Sequence, residues 1–386
     1  MIGRVAAWWY GNRGAVLAGC IGAGFVVAPE PVWAMLFYLL VLPFQARATL
    51  WPAGQGRLPA VMLLMIATIF WFVLTLAWDV PARSHPGLYP LWLWNGFCTL
   101  LFVLGYGASF GDNPPARDRL ISILIAGGSV NCLIALARLP WLGDVWAQQV
   151  LRMPGWAEAR HPILGAAIIG FVALLALGRM LAGRRVVLHG LAVALCLIFI
   201  VLTGSRGPLL AVLGAAVILV GFARLRLLAA MAGIVALIAG AVWLLHPPAV
   251  IDLVAHQIAR GDSHRLDIIR VSLQAIARSP WIGLGPNATL GRPGEDFPHN
   301  LFLSAVFYGG VIGLGLMLAL FGFAVVAAWR APSRLARAVG LALIAQVVLV
   351  GMTDLSNIIK GPSPMWYLFW LPLLLSLDGS WRSRPS

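Results

Sequence analysis

The fold is decided by residues 161–226, which read HPILGAAIIGFVALLALGRMLAGRRVVLHGLAVALCLIFIVLTGSRGPLLAVLGAAVILVGFARLR. Three long apolar stretches follow one another here, and short turns containing arginine separate them. A helix needs about twenty apolar residues to cross a hydrocarbon layer of roughly 30 Å. Within that layer every backbone amide must be satisfied inside its own segment, so each stretch is predicted to be a membrane-spanning helix.

The same pattern extends outward through the rest of the chain. Of 386 residues, 61% are hydrophobic and 10% are charged, whereas soluble domains carry about 25% charged residues. The apolar blocks are uninterrupted rather than alternating, which disfavours a β-barrel. The sequence therefore predicts an all-α polytopic membrane protein. Its predicted spans cover 14–28, 31–45, 59–78, 88–109, 119–139, 161–178, 186–203, 208–222, 227–245, 300–329, 335–353 and 364–378.

These twelve spans divide the chain into three parts of one integral membrane domain. Residues 1–245 hold spans one to nine, residues 246–299 form one larger loop, and residues 300–386 hold spans ten to twelve. The four cysteines all fall inside apolar blocks, so we interpret them as small packing residues. A cleaved signal peptide at the N-terminus is an alternative, but the same apolar pattern recurs down the chain.

The basic residues predict the orientation. The net charge is +14, and Lys360 is the only lysine. In a membrane protein this basicity favours cytoplasmic loops and contacts with anionic lipid or phosphate over nucleic-acid binding. Placing the N-terminus inside puts sixteen of the 27 basic residues in cytoplasmic segments. We therefore predict a bacterial inner-membrane protein with both termini in the cytoplasm.

The loop 246–299 departs from this rule, because five basic residues lie in it on the periplasmic side. They either form ion pairs with the acids of the loop, or some of them bind a polyanionic substrate at the membrane surface. Within the loop, residues 263–279 predict an amphipathic helix that is capped by Asp262 or Ser263 and ended by Pro280. Its predicted apolar face consists of Leu266, Ile269, Leu273 and Ile276, and it would either lie at the periplasmic membrane interface or pack on the spans.

Three predicted spans begin on the periplasmic side with cationic or proton-active residues. Arg160 and His161 precede span six, Arg206 precedes span eight, and His299 precedes span ten. Helix N-termini carry unpaired N–H groups and a partial positive charge, so they bind phosphate well. The planar fork of an arginine can hold two phosphate oxygens at once. Together these residues predict a pyrophosphate-binding site on one face of the membrane.

His299 is the candidate general base, because a histidine can accept a proton near neutral pH. The alternative for His299 is a residue that merely caps span ten, and for His161 a structural N-cap is favoured over a role in the site. Asp354 could orient a histidine or an arginine, although a solvated carboxylate at a helix end is favoured. The sequence contains no HExxH, no P-loop and no periplasmic DxD pair, which favours a reaction without metal or cofactor.

Four stretches of the sequence resemble the O-antigen ligase and Wzy-type polymerase superfamily. LTGSRGPLLAV resembles a family span start, HRLDIIRVSLQAIARSPWIGLGPN resembles its PxxGxG segment, and PHNLFLSAVFYGGVIGLG resembles its HNxxL signature. ARHPILGAAIIG is a weaker match to a further family element. The matched stretches are Leu202–Val212, His264–Asn287, Pro298–Gly315 and Ala159–Gly170.

This resemblance implies a glycosyltransferase with a lipid pyrophosphate donor at the periplasmic face. In a ligase, undecaprenyl-pyrophosphate-linked O-antigen is transferred to lipid A–core with inversion at the anomeric carbon. Carried over by motif, His299 would take the proton of the acceptor hydroxyl, while Arg206 and Arg265 would hold the pyrophosphate. Arg160 is a further phosphate candidate by its position. The stretch Asn287–Pro298 is shorter than in many relatives, which affects the expected contacts with the acceptor.

Two other functions remain open at this level. A Wzy-type polymerase shares the donor chemistry and differs only in its acceptor. A transporter or flippase of lipid-linked sugars is the alternative from another class of protein. Transporters usually place ionisable residues within their spans, near the midplane. Here the charges are concentrated on one face instead, which favours chemistry at the membrane surface over passage.

Overall fold

The computed structural model describes residues 2–26, 35, 37–41, 60–111, 113–139, 152–224, 265–292 and 296–377. The regular structure in these ranges is helical, and they contain no strand, which confirms the predicted fold class. The helices are α1 (Ile2–Ala23), α2 (Ala60–Leu74), α3 (Val80–Ser84), α4 (Leu88–Phe110), α5 (Pro114–Ala137), α6 (Pro162–Leu181), α7 (Val186–Leu202), α8 (Arg206–Ala223), α9 (Arg265–Ile276), α10 (Leu301–Trp329), α11 (Arg334–Gly351) and α12 (Leu371–Leu377). A π-helical turn, Trp366–Trp370, leads into α12.

Seven helices in the described ranges are long and apolar enough to cross a membrane, and they show that this is a polytopic membrane protein. They are Ala60–Ala77, Leu88–Phe110, Pro114–Ala137, Pro162–Leu181, Arg206–Ala223, Leu301–Trp329 and Arg334–Gly351. Val186–Leu202 and Trp366–Leu377 are shorter apolar helices at the places of two further predicted spans. The helix α1 begins at Ile2 rather than at residue 14. The predicted span 227–245 and most of 31–45 lie outside the described residues.

The bundle has two distinct ends. At the far end, Asp118 near the start of α5 pairs with Arg179 near the end of α6 and with Arg184 in the following turn. The helices α6 and α8 begin at the opposite end. We call it the cavity end, because a cavity lined by residues at the start of α6 opens there. The turns after α4 and α6 lie at the far end, and the end of α10 lies there too, because Trp329 contacts Phe222 near the end of α8.

Small residues let the central helices approach closely. The helix α6 is buried over most of its length. A Cβ atom on Gly170 of α6 would lie 2.9 Å from Nε2 of Gln346 on α11, and one on Gly128 of α5 would lie 2.8 Å from the side chain of Val172. Close approach at small residues is a common way for helices to pack within a membrane. This packing holds the starts of α6 and α8 next to the end of α11.

The helix α10 folds back on itself, whereas the sequence predicts one continuous span over 300–329. Gly310 has φ 66° and ψ −171°, which is outside the helical region and accessible mainly to glycine. The ring centroids of Phe302 and Phe321 are 6.1 Å apart, although a straight helix would separate these positions by about 28 Å. We call residues 301–309 the short arm and residues 311–329 the long arm.

The bend at Gly310 is stabilised by the turn that follows α9. The amide of Val311 donates to the carbonyl of Pro280, and the amide of Leu284 donates to the carbonyl of Phe307, both at 2.9 Å. The indole Nε1 of Trp71 on α2 donates to the carbonyl of Gly309 at 2.8 Å. These bonds satisfy backbone groups near the bend, where helical hydrogen bonds are interrupted.

A buried carboxylate anchors the same turn to α2 and α3. Asp79 accepts hydrogen bonds at 2.8 Å from the amide of Ala82, which caps α3, and from the amide of Asn287. Gly285 lies against it with φ +94°, and a Cβ atom there would come within 2.6 Å of the Asp79 side chain. Gly285, the second glycine of the PxxGxG segment, is therefore required by a contact with Asp79, which lies more than 200 residues away in the sequence.

The amphipathic helix of the loop is present as α9, but it presents a different face to the bundle. Ile268 and Ser272 are buried together with Ile276. Leu266 and Leu273, which we predicted to lie with Ile276 on one apolar face, are exposed, as is Ile269. Of the two predicted placements of this face, packing on the spans therefore does not hold for these three residues. The proposed cap residues, Asp262 and Ser263, lie outside the described residues.

Candidate active site

Two helix starts meet at the cavity end. The hydroxyl of Ser205, the N-cap of α8, donates to the carbonyl of Pro162, the first residue of α6, at 3.2 Å. On the other side of α8, a Cβ atom on Gly207 would lie 2.8 Å from Oγ1 of Thr353, just beyond the end of α11. The amide N–H groups of both helix starts therefore lie close to the segment that carries Asp354.

The start of α10 reaches the same segment. Asn300 is the N-cap of α10 and accepts hydrogen bonds at 3.0 Å from the amides of Phe302 and Leu303. Its Nδ2 donates to the carbonyl of Met352 at 3.1 Å. The side chain of Leu301 also contacts the backbone at Gly351 closely, since a Cβ atom there would lie 2.9 Å from it. Asn300 thus performs the capping role that the sequence left open for His299.

A cavity of about 330 Å³ opens between these helix starts and α9. One part of its wall is polar and proton-active, and the other part is apolar. It is lined by His161, Ile163, Leu164, Arg265, Ile268, Phe297, His299, Asp354, Ser356 and Met365. The cavity therefore brings together residues from α6, α9, the start of α10 and the loop after α11, which are far apart in the sequence.

His299 and Asp354 form a half-buried pair in this wall. Nδ1 of His299 lies 2.9 Å from Oδ1 of Asp354, and the two side chains are 28% and 9% exposed. His299 has φ +49°, which is uncommon for a residue with a side chain. We predicted a solvated carboxylate at the position of Asp354. That prediction was wrong, because the chain turns after α11 and brings the carboxylate against the imidazole.

The geometry of the pair determines which ring nitrogen can act as a base. A carboxylate has no proton to donate, so Nδ1 of His299 must carry the proton in this hydrogen bond. The neutral imidazole then keeps its lone pair on Nε2. Phe297 contacts the ring with a centroid distance of 4.0 Å and an interplanar angle of 35°. The imidazole is therefore oriented from two sides.

The predicted arginines differ in their relation to the cavity. Arg265, the first residue of α9, lines it. Arg206, the first residue of α8, is exposed and stands one residue from the contact between Gly207 and Thr353. Arg160 is exposed and directly precedes the lining residue His161. Only Arg265 of the three is part of the wall formed by the described residues.

His161 combines the two roles that the sequence considered. It is the N-cap of α6, and its Nδ1 accepts a hydrogen bond from the amide of Leu164 at 3.3 Å. It also lines the same cavity as His299 and Asp354. Because Nδ1 accepts this bond, the proton of a neutral His161 would lie on Nε2.

Sequence reasoning missed several residues of the site. Phe297, Ser356 and Met365 line the cavity without any local motif that indicates it. The only local signal for Phe297 is that an aromatic residue stands two positions before His299. Among the described residues, no group of three or more histidine, cysteine, aspartate or glutamate side chains is arranged to hold a metal ion.

The fold and the site define a polytopic helical membrane protein with an oriented histidine in a cavity at one end of its bundle. Residues 191–318 match the family model described as O-antigen ligase (Wzy_C). The matched region runs from α7 through α8 and α9 into α10, and it includes Arg206, Arg265 and His299. Asp354 and His161 lie outside it.

One curated relative is similar over nearly the whole length. The O-antigen ligase of Pseudomonas aeruginosa is 27% identical over 394 aligned residues, which cover 96% of this chain and 91% of the relative. Together with the family match, this similarity confirms the resemblance to the O-antigen ligase superfamily that the sequence motifs predict.

Proposed function

We propose that this protein is an inverting, metal-independent glycosyltransferase that attaches O-antigen during lipopolysaccharide maturation. Its donor would be O-antigen linked to undecaprenyl pyrophosphate, and its acceptor would be lipid A–core. The similarity to O-antigen ligases supports a role in O-antigen attachment and a glycosyl-transferring activity. The observation that carries the chemical part of the proposal is the His299–Asp354 pair in the wall of the cavity.

In this mechanism His299 acts as the general base. Its Nε2 takes the proton of an acceptor hydroxyl, while Asp354 stabilises the imidazolium that forms. The hydroxyl oxygen attacks the anomeric carbon of the donor sugar and forms the new glycosidic bond. The bond between that carbon and the pyrophosphate oxygen breaks, and its electron pair leaves with undecaprenyl pyrophosphate. A single displacement of this kind inverts the anomeric configuration.

The leaving pyrophosphate needs positive charge in place of a metal ion. Arg265 in the cavity wall is the first candidate, because its guanidinium can hold two phosphate oxygens. Arg206 and the amide groups at the starts of α6 and α8 lie nearby and would contribute further donors. Arg160 and His161 are the remaining substrate-binding candidates, at the start of α6.

The charge distribution supports a periplasmic cavity in the bacterial inner membrane. The turns and helix ends at the far end carry most arginines of the described spans, including Arg117, Arg119, Arg179, Arg184 and Arg185. Cytoplasmic loops carry such an excess of basic residues. The far end is therefore proposed to face the cytoplasm and the cavity end the periplasm, with both termini in the cytoplasm.

A reconstituted transfer assay tests the proposal. The purified protein is mixed in lipid with undecaprenyl-pyrophosphate-linked O-antigen and lipid A–core, and the product is read by gel shift beside His299→Ala. A shifted band that disappears in the variant supports the ligase and its base. Lengthening of the donor glycans without a shift would instead indicate a polymerase. Movement of labelled donor across the bilayer without any transfer would indicate a transporter.

A further inference from the structure

The helix α9 presents two different faces. Arg265 and Ile268 face the cavity and line it, and Ile276 is buried against the bundle. On the neighbouring side of the helix, Leu266 is 73% exposed and Leu273 is 54% exposed. A helix that only covered the cavity would need no row of large apolar side chains on its outer side.

The apolar row continues beyond the end of the helix. Trp281 is 70% exposed, and Ile282 beside it is also exposed. Their backbone is held in place, because the carbonyls of Pro280 and Trp281 accept hydrogen bonds from Val311 and Ile312 at the bend of α10. We call Leu266, Ile269, Leu273, Trp281 and Ile282 the outer face of α9.

Basic residues accompany the outer face. Arg270 follows Leu266 by four residues, so the two side chains are neighbours on the helix surface. Arg270 and Arg278 are exposed, and Asp267 is the only acidic residue between residues 265 and 282. Large apolar side chains next to arginines are typical of helices that lie in the interface of an anionic membrane. Tryptophan is likewise enriched at that level.

We propose that the outer face of α9 binds the surface of the bilayer in which the protein lies, with Arg270 and Arg278 on the headgroups of anionic phospholipids. The bilayer is the occupant that the molecule itself favours, because α9 is attached to α10 at the end of a membrane-spanning bundle. Binding would also determine the height of Arg265 relative to the membrane. This last consequence rests on the proposed function, whereas the binding surface does not.

Site-specific fluorescence tests the apolar part of the surface. The four native cysteines are buried, so a cysteine introduced at Leu273 can be labelled selectively in the full-length protein. Leu273→Cys is compared with Gln274→Cys, a neighbouring exposed position on the polar side of the same helix. In vesicles of phosphatidylethanolamine and phosphatidylglycerol, lipids with a spin label near the top of the acyl chain should quench the dye at position 273 more strongly. Aqueous iodide should show the opposite order.

The basic part is tested with the labelled Leu273→Cys protein and two quenching lipids. Spin-labelled phosphatidylglycerol should quench more than phosphatidylcholine with the same label, because each arginine near an anionic surface favours it by about fivefold. The double substitution Arg270→Gln and Arg278→Gln should bring the two lipids to equal quenching. Arg330→Gln, an exposed arginine at the far end, is the matched control and should leave the difference unchanged.

Each result has a definite meaning. Equal lipid quenching at positions 273 and 274 would overturn the proposal, since the outer face would then not lie in the bilayer. Protection of position 273 from both lipid and iodide would also overturn it and would indicate that a protein surface covers the face. Because no reading depends on glycosyl transfer, an inactive protein with strong quenching at position 273 would contradict the proposed function alone.

Discussion

The two ends of the helical bundle use the same residue type, arginine, in different ways. At the far end, Asp118 pairs with Arg179 and Arg184, and the guanidinium of Arg117 donates to the carbonyls of Phe110 and Gly111. At the cavity end, Arg265 lines an open cavity and Arg206 is exposed at a helix start. The carboxylate of the cavity wall, Asp354, is bonded to the imidazole of His299.

The difference indicates what each end is for. A buried arginine paired with a carboxylate and with carbonyls connects helix ends and stabilises the fold. An arginine whose charge faces a cavity can instead neutralise a ligand that brings negative charge with it. Substitutions at the cavity end should therefore affect transfer more than stability, and those at the far end should do the reverse. The predictions below test this contrast.

The largest effect is expected for His299→Ala. Loss of a general base should lower the transfer rate by roughly 10²–10⁴-fold, with little change in the thermal stability of the purified protein. Transfer in the reconstituted assay measures the effect, and melting in detergent checks the fold. His189→Ala, at the far end, is the matched control and should retain the activity. A rate near that of the unmodified protein would refute the assignment of the base.

Asp354→Asn should have the next largest effect. The amide can donate to Nδ1 and so favour the tautomer with the proton on Nε2, which would lower the rate by about tenfold to a thousandfold. Asp354→Glu should recover part of the activity. Because the two residues act as a unit, combining Asp354→Asn with His299→Ala should cost no more than His299→Ala alone. Additive losses would show that Asp354 acts independently of His299.

Arg265→Ala and Arg206→Ala should each weaken the use of the donor. Losing one charge-assisted contact with phosphate costs about 1.5–3 kcal/mol, or about ten- to a hundredfold. Steady-state kinetics with varied donor concentration measure the change in kcat/KM. Arg330→Ala is the control at the far end. If it lowered kcat/KM as much as Arg265→Ala does, the contrast between the two ends would fail.

Asp118→Asn should lower stability with little effect on transfer. It leaves the buried Arg179 without its carboxylate, but Asp118 itself is half-exposed, so we expect a loss of about 1–2 kcal/mol. Thermal unfolding in detergent measures the loss, and the transfer rate of the folded fraction should be retained. Arg330→Gln serves as a control at the same end. A large loss of transfer with normal stability would contradict a structural role.

The smallest effect is expected on adding a chelator. Because arginines are proposed to neutralise the pyrophosphate, millimolar EDTA should leave the transfer rate unchanged. The measurement is the reconstituted assay with and without chelator, followed by re-addition of magnesium. Strong inhibition that magnesium reverses would refute the metal-independent mechanism at the cavity end.

Much of the fold could be predicted from the sequence, because membrane helices are determined locally. Apolar length and backbone hydrogen bonding within each segment predicted helices such as α6 and α8 close to their observed positions. The bend of α10 could not be predicted in this way. Two adjacent glycines permit it, but it is stabilised by the carbonyl of Pro280 and by Trp71, which come from other parts of the chain.

The candidate site shows the same division. His299 and His161 could be selected because each stands at a helix start with a residue type that suits phosphate or proton chemistry, and Arg265 because it lies in a stretch that resembles the ligase superfamily. Asp354 was predicted to be solvated, because its neighbours in the sequence do not include the imidazole that it contacts. Asp79 was not considered at all, since its carboxylate acts on a turn that is distant in the chain.

The sequence by itself determined the class of this protein, most of its helices and the residue types available for chemistry. Hydropathy and helix capping depend on neighbours within a few residues, so a linear reading is sufficient for them. Only the tertiary structure decided that α10 folds back, that α9 turns Leu266 and Leu273 outward, and that Asp354 orients His299. These features depend on contacts between segments that are distant in the chain, and such contacts form only when the helices pack.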